Sequence, residues 1–421
     1  MSKLEQLINE LCPDGVEFVS LGSLMTKVTN KQKYSPEITQ VYVVSNTLGM
    51  VKAEEYRENT IHSDDISNYT VVKTGMFAYN PSRLNIGSIA MLNKEDGVVS
   101  PMYVVFEVDT SKITLEYFEL LIKSSFVKNK IASYKEEGAR FRFDFSRWDW
   151  IKVQLPPIEI QNTIVEHLNT FSKYLDNLID EHSARKQQYE YYRDYLLSFD
   201  DEDIEKVIPD IDCSMVKMCP LSDVAEIYDG THQTPNYTES GVPFISVENI
   251  NSIYSSTKFI SQEDFNKYKI KPKVNDVFMT RIGSIGACAV FDKQTDLAYY
   301  VSLALIRPNP ELLNSKYLKY AIESKQGRKE LRKRTLVNAV PIKINKNDIG
   351  KIILPIPSLE TQNNIVKILD RFDMLCNGIS EGIPAEIEAR KQQYEYYRDT
   401  LLSFNQEQCS QIVNVERERE R

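Results

Sequence analysis

The segment ARKQQYEYYRDYLLSF at residues 184–199 returns as ARKQQYEYYRDTLLSF at 389–404, changed only where Tyr195 becomes Thr400. Two near-identical copies 205 positions apart in a 421-residue chain make this protein two versions of one unit. Repetition constrains a fold strongly, because the same packing problem is then solved twice by the same residues.

Each copy closes a long periodic stretch. Ile164, Leu168, Phe171, Leu175, Leu178, His182, Arg185, Tyr189, Tyr192, Leu196 and Phe199 are spaced alternately by four and three residues. This is an unbroken heptad seam, polar only at His182 and Arg185. A helix laid on a globular core usually shows a wider and less strict stripe, so the spacing favours a coiled coil. At about 1.5 Å per residue it predicts a rod of roughly 50 Å. The second stretch places Ile365, Leu369, Phe372, Cys376 and Ile379 on the same seam and re-enters it at Arg390, Tyr394, Tyr397, Leu401 and Phe404. Gln161 aligns with Gln362 at an offset of 201, whereas the tyrosine motif aligns at 205, so four residues are inserted between. Gly378, Gly382 and Pro384 there predict a break rather than a smooth stutter.

The parts preceding the seams have another character. Residues 4–11 carry one helical apolar face (Leu4, Leu7, Ile8, Leu11) and end in the turn residues 12–15. Short β-branched and aromatic runs follow at 40–44, 69–72, 76–79, 86–92 and 102–108, then a helical segment over 117–131 and a last strand at 151–155 before Pro156-Pro157. The second half repeats this plan with a different sequence: 277–286 falls where the first has 77–83, helical 317–334 matches 117–131, and 352–354 precedes Pro355 and Pro357. The frame is duplicated and the heads diverge. One frame with two specificities is what a two-part reader needs.

Several chemistries are missing from the sequence. There is no apolar run near the roughly 18 residues of a membrane span. Six cysteines form no CxxC pair and four histidines form no ligand spacing, which points to reduced thiols in a cytoplasmic protein without an evident metal. No GxxxxGK[ST] loop occurs, and Gly283-Ser284-Ile285-Gly286 lacks the remainder of a dinucleotide fingerprint, so it reads as a glycine turn. Asn80-Pro81-Ser82-Arg83 has serine and arginine where an amino-methyltransferase motif needs proline and an aromatic. The expectation is a chain that is not itself a catalyst.

Basic loops remain. The net charge of −9 argues at first against a polyanion, but charge is unevenly placed: 200–205 is acidic, while 325–346 holds eight Lys/Arg against the single acid Glu330. The first head offers Asn80, Ser82, Arg83 and Asn85, then Arg140, Arg142 and Arg147 interleaved with Phe141, Phe143 and Phe145. The second offers Thr231, His232, Gln233, Thr280, Arg281 and Ser284, then Lys333, Arg334, Asn338 and Lys343. Such side chains read base edges or hold phosphates. For any one of them solvated surface charge is the better reading, but it accounts less well for the set, since both heads place basic loops at matching points.

In LCPDGVEFVSLG near the start, FAYNPSRLNIGSIAML, VVSPMYVVF and RFRFDFSRWDWIKVQLPP in the first head, TRIGSIGACAVF and YYVSLALIRP in the second, and both copies of ARKQQYEYYRD[YT]LLSF, the chain resembles the specificity subunit of type I restriction-modification systems over residues 1–404. The resemblance implies an α+β fold of two mixed α/β target-recognition domains, 1–157 and 201–357. It further implies two long helices, 158–200 and 358–405, packed as an antiparallel coiled coil with pseudo-twofold symmetry, followed by a tail at 406–421. It implies that each domain grips one half of a split asymmetric site on double-stranded DNA. Two modification (methyltransferase) subunits and the restriction (translocase and nuclease) subunits would be its partners. S-adenosylmethionine, ATP and Mg2+ belong to those partners, with no cofactor in this chain. Tyr191 and Tyr396 lie off the seam, so Gln187, Tyr191, Arg193 and their copies Gln392, Tyr396, Arg398 are candidate contacts with the two modification subunits; a tyrosine lying on its own helix is the competing reading. Two other functions fit the residues: a coiled-coil adaptor whose heads bind proteins, and a stand-alone chain that redirects another system's complex.

Overall fold

A computed structural model describes residues 3–56, 63, 65–134, 141–199, 216–378 and 382–404. The chain forms two compact units, Met1–Leu178 with Ile387–Arg421, and Ile179–Glu386. The expected tail, the acidic 200–205 run, Arg140 and the seam residue Ile379 lie outside the described residues.

Each unit contains one head, and the two heads share a topology. In the first, an antiparallel sheet runs Met25–Val28, Val104–Val108, Phe77–Tyr79, Ile89–Met91. A second sheet runs Gly49–Lys52, Val41–Ser45, Gly97–Val99, Thr70–Val72, with its middle pair parallel. The second head repeats the order with Ala225–Asp229, Leu303–Pro308, Val277–Thr280 and Cys288–Val290, beside Phe259–Ile260, Val242–Ile245 and Ala298–Tyr299. A two-stranded ribbon ties the start of each head to its end: Phe18–Ser20 pairs Lys152–Gln154, and Lys217–Pro220 pairs Ile353–Ile356.

The central strands show why runs without polar alternation still form sheet. Phe77, Ala78 and Tyr79 are all fully buried because both faces are covered. Phe77 and Tyr79 face a helical layer, where Phe77 meets Phe118 edge-on at 5.0 Å, while Ala78 faces Tyr42, Val72 and Val105. In the second head Val277 and Met279 take the helical side and Phe278 the other. The large side chain has changed faces, which keeps the fold and alters what surrounds it.

The single helical segments expected at 117–131 and 317–334 are each two helices. Leu115–Lys123 gives way to Ser125–Ser133, and Ser315–Glu323 to Lys325–Arg334. Ser124 and Ser324 are extended (ψ 151° and 165°), and each hydroxyl accepts the amide three residues on, from Val127 and Gly327. A Cβ at Gly327 would overlap the Ala321 and Ile322 carbonyls, so the corner also requires glycine. The run 86–92 likewise divides into a 3-10 turn, Leu84–Ile86, and the strand Ile89–Met91, hinged at Gly87 with φ 89°.

The first long helix is continuous over Ile158–Leu196. The second is broken as expected, into Leu359–Asn377 and Ile383–Ser403, where the Gly378 backbone turns extended and its amide bonds the Met374 carbonyl. Within the first unit the seam is antiparallel: Phe171 meets Tyr397 at 5.6 Å and Arg390 lies over Tyr174. Within the second, Tyr192 stacks on Phe372 at 5.5 Å and His182 Nε2 bonds the Cys376 carbonyl oxygen at 2.8 Å. The seam residues Ile164 and Leu168 in one unit, and Tyr189, Leu196, Ile365 and Leu369 in the other, are buried in the head cores as well.

Candidate nucleic-acid interface

The duplicated frame makes the same contacts twice. Gln161 is fully buried; its Oε1 accepts from the Thr114 amide, and its Nε2 donates to the carbonyls of Lys112 and Pro156 at 2.8–2.9 Å. Gln362 repeats all three bonds, to Asn314, Leu312 and Pro357. Each long helix is thereby fastened to the head that precedes it. Each tyrosine motif fastens to the head of the unit in which it lies: Asp194 Oδ1 accepts from the Lys325 amide (2.9 Å) in the second head, and Asp399 Oδ1 from the Ser125 amide (3.1 Å) in the first. Both are first residues of head helices, where a carboxylate opposes the positive end of the helix dipole.

This corrects one expectation. Arg193 and Arg398 are buried, 4% and 5% exposed, and each guanidinium holds the neighbouring aspartate at about 3 Å. They orient the capping carboxylates and are not free for a partner. Gln187 and Gln392 are exposed, as are Tyr191 (64%) and Tyr396 (55%). Tyr191 lies flat on Tyr195 with ring planes 8° apart; Thr400 in the second copy removes that shelf from Tyr396.

Each head carries a cleft at the ends of its central strands. The first, about 590 Å³, is lined by Lys27, Lys31, Arg83 and Arg142 with Thr29, Thr70, Asn80, Ser82 and Tyr103, and by no carboxylate. Arg142 is ion-paired with exposed Asp144 at 3.1 Å, whereas Lys27, Lys31 and Arg83 converge on the concavity and repel each other unless an anion sits among them. Asn80 is buried, and its Oδ1 accepts from the Ser82 amide at 2.9 Å, so it shapes the turn that projects Ser82 and Arg83. Asn85 is exposed but outside the lining. Arg147 is half-buried, donates to the Tyr134 carbonyl at 2.9 Å and packs near Trp150, so it belongs to the wall of the head. The interleaved phenylalanines are anchors: Phe143 is buried against Trp148, its amide bonding the Pro81 carbonyl, which leaves Arg142 pointing out.

The second cleft, about 600 Å³, is lined by Thr231, His232, Gln233 and Asn236 on one side and Lys267, Tyr268 and Lys269 on another. Its two carboxylates are engaged: Asp264 with Lys267 at 2.7 Å, and Asp229 with Arg281. The Lys267 ammonium holds Asp264 below the usual carboxylate range. Arg281 is thus corrected too. It is 7% exposed, ion-paired to Asp229 and donates to the Ile344 carbonyl, while Thr280 is fully buried with its hydroxyl on the Ala287 amide. A buried guanidinium spent on a carboxylate of the cleft wall cannot also read a base. Ser284 is exposed on a turn set by Gly283 and Gly286 at φ 77° and 92°. Arg334 is half-buried on Glu330; Lys333, Asn338 and Lys343 are exposed, although Lys333 also contacts Glu330.

Four cleft cations, Lys27, Lys31, Lys267 and Lys269, were not singled out from the sequence. Lys27 carried no signal that would single it out: it stands two residues from buried Met25 on an edge strand, and strand alternation places both on the same face. Among the described residues no cluster of three metal-binding side chains occurs, and no helix is long and apolar enough to cross a membrane.

Comparison with known proteins now fits this geometry. The family described as type I restriction modification DNA specificity domain matches twice, at residues 13–185 and 214–389. The chain belongs to that family. The type I restriction enzyme EcoR124I/EcoR124II specificity subunit of Escherichia coli is 28% identical over 438 residues, covering 96% of this chain and 97% of the relative. A putative type I restriction enzyme specificity subunit of Haemophilus influenzae is 30% identical over 269 residues, 61% of this chain and 64% of its own. A solved chain described under complex assembly and conformational transition of the type I R-M system shares the fold, with TM-score 0.65 at 16% identity, over 93% of this chain and 99% of that one. As a type I specificity subunit, the chain is a DNA-recognition protein, and each family match spans one head and runs on into the helical segment that follows it.

Proposed function

We propose that this specificity subunit reads a bipartite, asymmetric duplex site, one half per head, and that it serves as the assembly frame for two methyltransferase subunits and the restriction subunits of its complex. Methyl transfer to adenine N6 with S-adenosylmethionine, and ATP- and Mg2+-dependent translocation and cleavage, belong to those partners, in the cytoplasm. The observation that carries the reading is the contrast between frame and clefts. Buried glutamine and capping aspartate are duplicated bond for bond, whereas one cleft is lined by four cations without a carboxylate and the other by a mixed polar set. Selection that keeps attachment identical while linings diverge suits two different half-sites on one ruler. Base identity then comes from exposed groups such as Ser82, Arg83, Arg142, Gln233, Ser284, Asn338 and Lys343.

An electrophoretic mobility shift on a random duplex library, with and without the co-expressed methyltransferase, tests this. Enrichment of two short fixed motifs separated by a constant unspecified spacer is expected. A protein adaptor gives no sequence-selective shift, and a single uninterrupted motif counts against the two-head reading.

A further inference from the structure

The second head carries an apolar projection that recognition through polar groups does not require. Between the basic helix Lys325–Arg334 and buried Ile344, the loop 335–343 exposes Val340 completely, Val337 by 65%, and Leu336 and Ile342 by 43% each. Exposed apolar side chains are common singly; four on one loop are a patch that marks a contact.

The loop is built to hold its shape. The Leu336 amide bonds the Lys343 carbonyl (2.8 Å), closing its base, and the Ala339 amide bonds the Leu336 carbonyl across the tip. The Gly283 amide bonds the Ile342 carbonyl (2.8 Å), and the Ile344 amide bonds that of Arg281 (3.0 Å). Arg281 is in turn paired with Asp229, which lines the second cleft. A continuous set of bonds therefore runs from the cleft wall to the apolar tip.

Its surroundings select the partner. Arg328, Lys329, Arg332, Lys333, Lys343 and Lys346 are all exposed on the loop and its flanking segments. Glu330, the one acid of 325–346, is buried and neutralised by Lys333 and Arg334 at 2.6–2.7 Å. Cores of protein–protein interfaces are depleted of charge, whereas an apolar tip on a cationic base matches a duplex: cations for the two backbones, aliphatic groups for the space between base pairs.

We infer that the loop 335–343 is a wedge whose Val337 and Val340 side chains enter a base step at the second half-site, unstacking and bending the duplex. The inference rests on the DNA-reading function above and adds a deformation to it. The second head would then favour sites with an easily unstacked pyrimidine–purine step, including at positions where no side chain contacts a base edge.

The test uses the full chain in complex with its methyltransferase and a duplex recovered by library selection, with 2-aminopurine replacing each purine of the second half-site in turn. Wild-type binding should raise fluorescence several-fold at one step. The variant with Val337→Ser and Val340→Ser, both at exposed positions, should return that step to the free-duplex level and lose about tenfold in affinity, while Val340→Leu keeps both. Fluorescence equal in wild type and double variant at every position overturns the wedge. So does a double variant that binds DNA normally but loses the methyltransferase, which makes the loop a protein contact. Failure of the wild type to select any sequence removes the DNA-reading function itself, a separate outcome.

Discussion

Arginine is the residue whose fate differs most between positions here. Arg83 and Arg142 face an open cleft, Arg281 is buried on Asp229 and Arg193 and Arg398 are buried on their neighbouring aspartates. Composition does not separate them, because burial follows from groups distant in the chain: the partner of Arg281, and the helix starts that the aspartates beside Arg193 and Arg398 cap. Asp229 lies 52 positions from Arg281, and the amides capped by Asp194 and Asp399 lie 131 and 274 positions away. The arginine–aspartate pair of each repeat acts as one device, a buried cation aiming a carboxylate at a helix start. Asp399→Ala should leave the Arg398 guanidinium buried without its counter-charge and the Ser125 amide without its acceptor. We expect a loss of about 1–3 kcal/mol and faster amide exchange confined to 125–133. Asp194→Ala should do the same at 325–334, and Asp399→Asn, which keeps an acceptor, should cost less. Hydrogen exchange by mass spectrometry reads both; unchanged protection in those helices would show that the caps are incidental.

At the scale of elements, what could be anticipated followed periodicity, and what could not followed caps and turns. The heptad spacing located Ile164, Leu168, Tyr189, Ile365, Leu369 and Tyr397, all buried in their units, because a 3.5-residue repeat has one way to hide its apolar edge. The break near Gly378 was legible because glycine is strongly disfavoured within a helix. The corners at Ser124 and Ser324 were not, although serine favours an N-cap over a helix interior, since one extended ψ leaves the surrounding helical spacing of apolar residues unbroken. The same holds for Gln161 and Gln362, ordinary surface residues by type, each saturating three backbone groups. An unbroken helix facing a broken one gives the frame one stiff element and one that can absorb a change of length. Four residues inserted after Leu178 add one turn, about 6 Å, while adding few contacts to either head. The spacer between half-sites should lengthen by one or two base pairs, about 3.4 Å each, with both half-sites retained. Methylome sequencing of cells carrying the insertion decides it, and an unaltered spacer means that the helices do not set the distance.

For the molecule as a whole, duplication predicts how many partners it holds. The two copies of the motif agree at fifteen of sixteen positions, and the parts turned inward already have assigned work: Tyr189 and Leu196 in one core, Tyr397 and Leu401 in the other, the arginine–aspartate pairs at the helix caps. Packing does not account for the outward residues Gln187, Tyr191, Gln392 and Tyr396, which are identical in both copies and exposed. Exposed tyrosines beside polar groups fit the centre of a protein interface, where aromatics are enriched. If each copy seats one methyltransferase, Tyr191→Ala and Tyr396→Ala are each expected to remove about one subunit, and the double variant both. Native mass spectrometry of the co-expressed complex should then show two modification subunits for wild type, one for either single variant and none for the pair. The copies are not quite equivalent, because Tyr195 supports Tyr191 by stacking whereas Thr400 gives Tyr396 no such platform. Tyr195→Thr should therefore make the first seat behave like the second, and Thr400→Tyr the reverse, visible as exchanged dissociation rates of the two subunits. Two subunits retained by the double alanine variant would place the partners on another surface, and equal rates in the exchanged variants would confine the asymmetry to the helix itself.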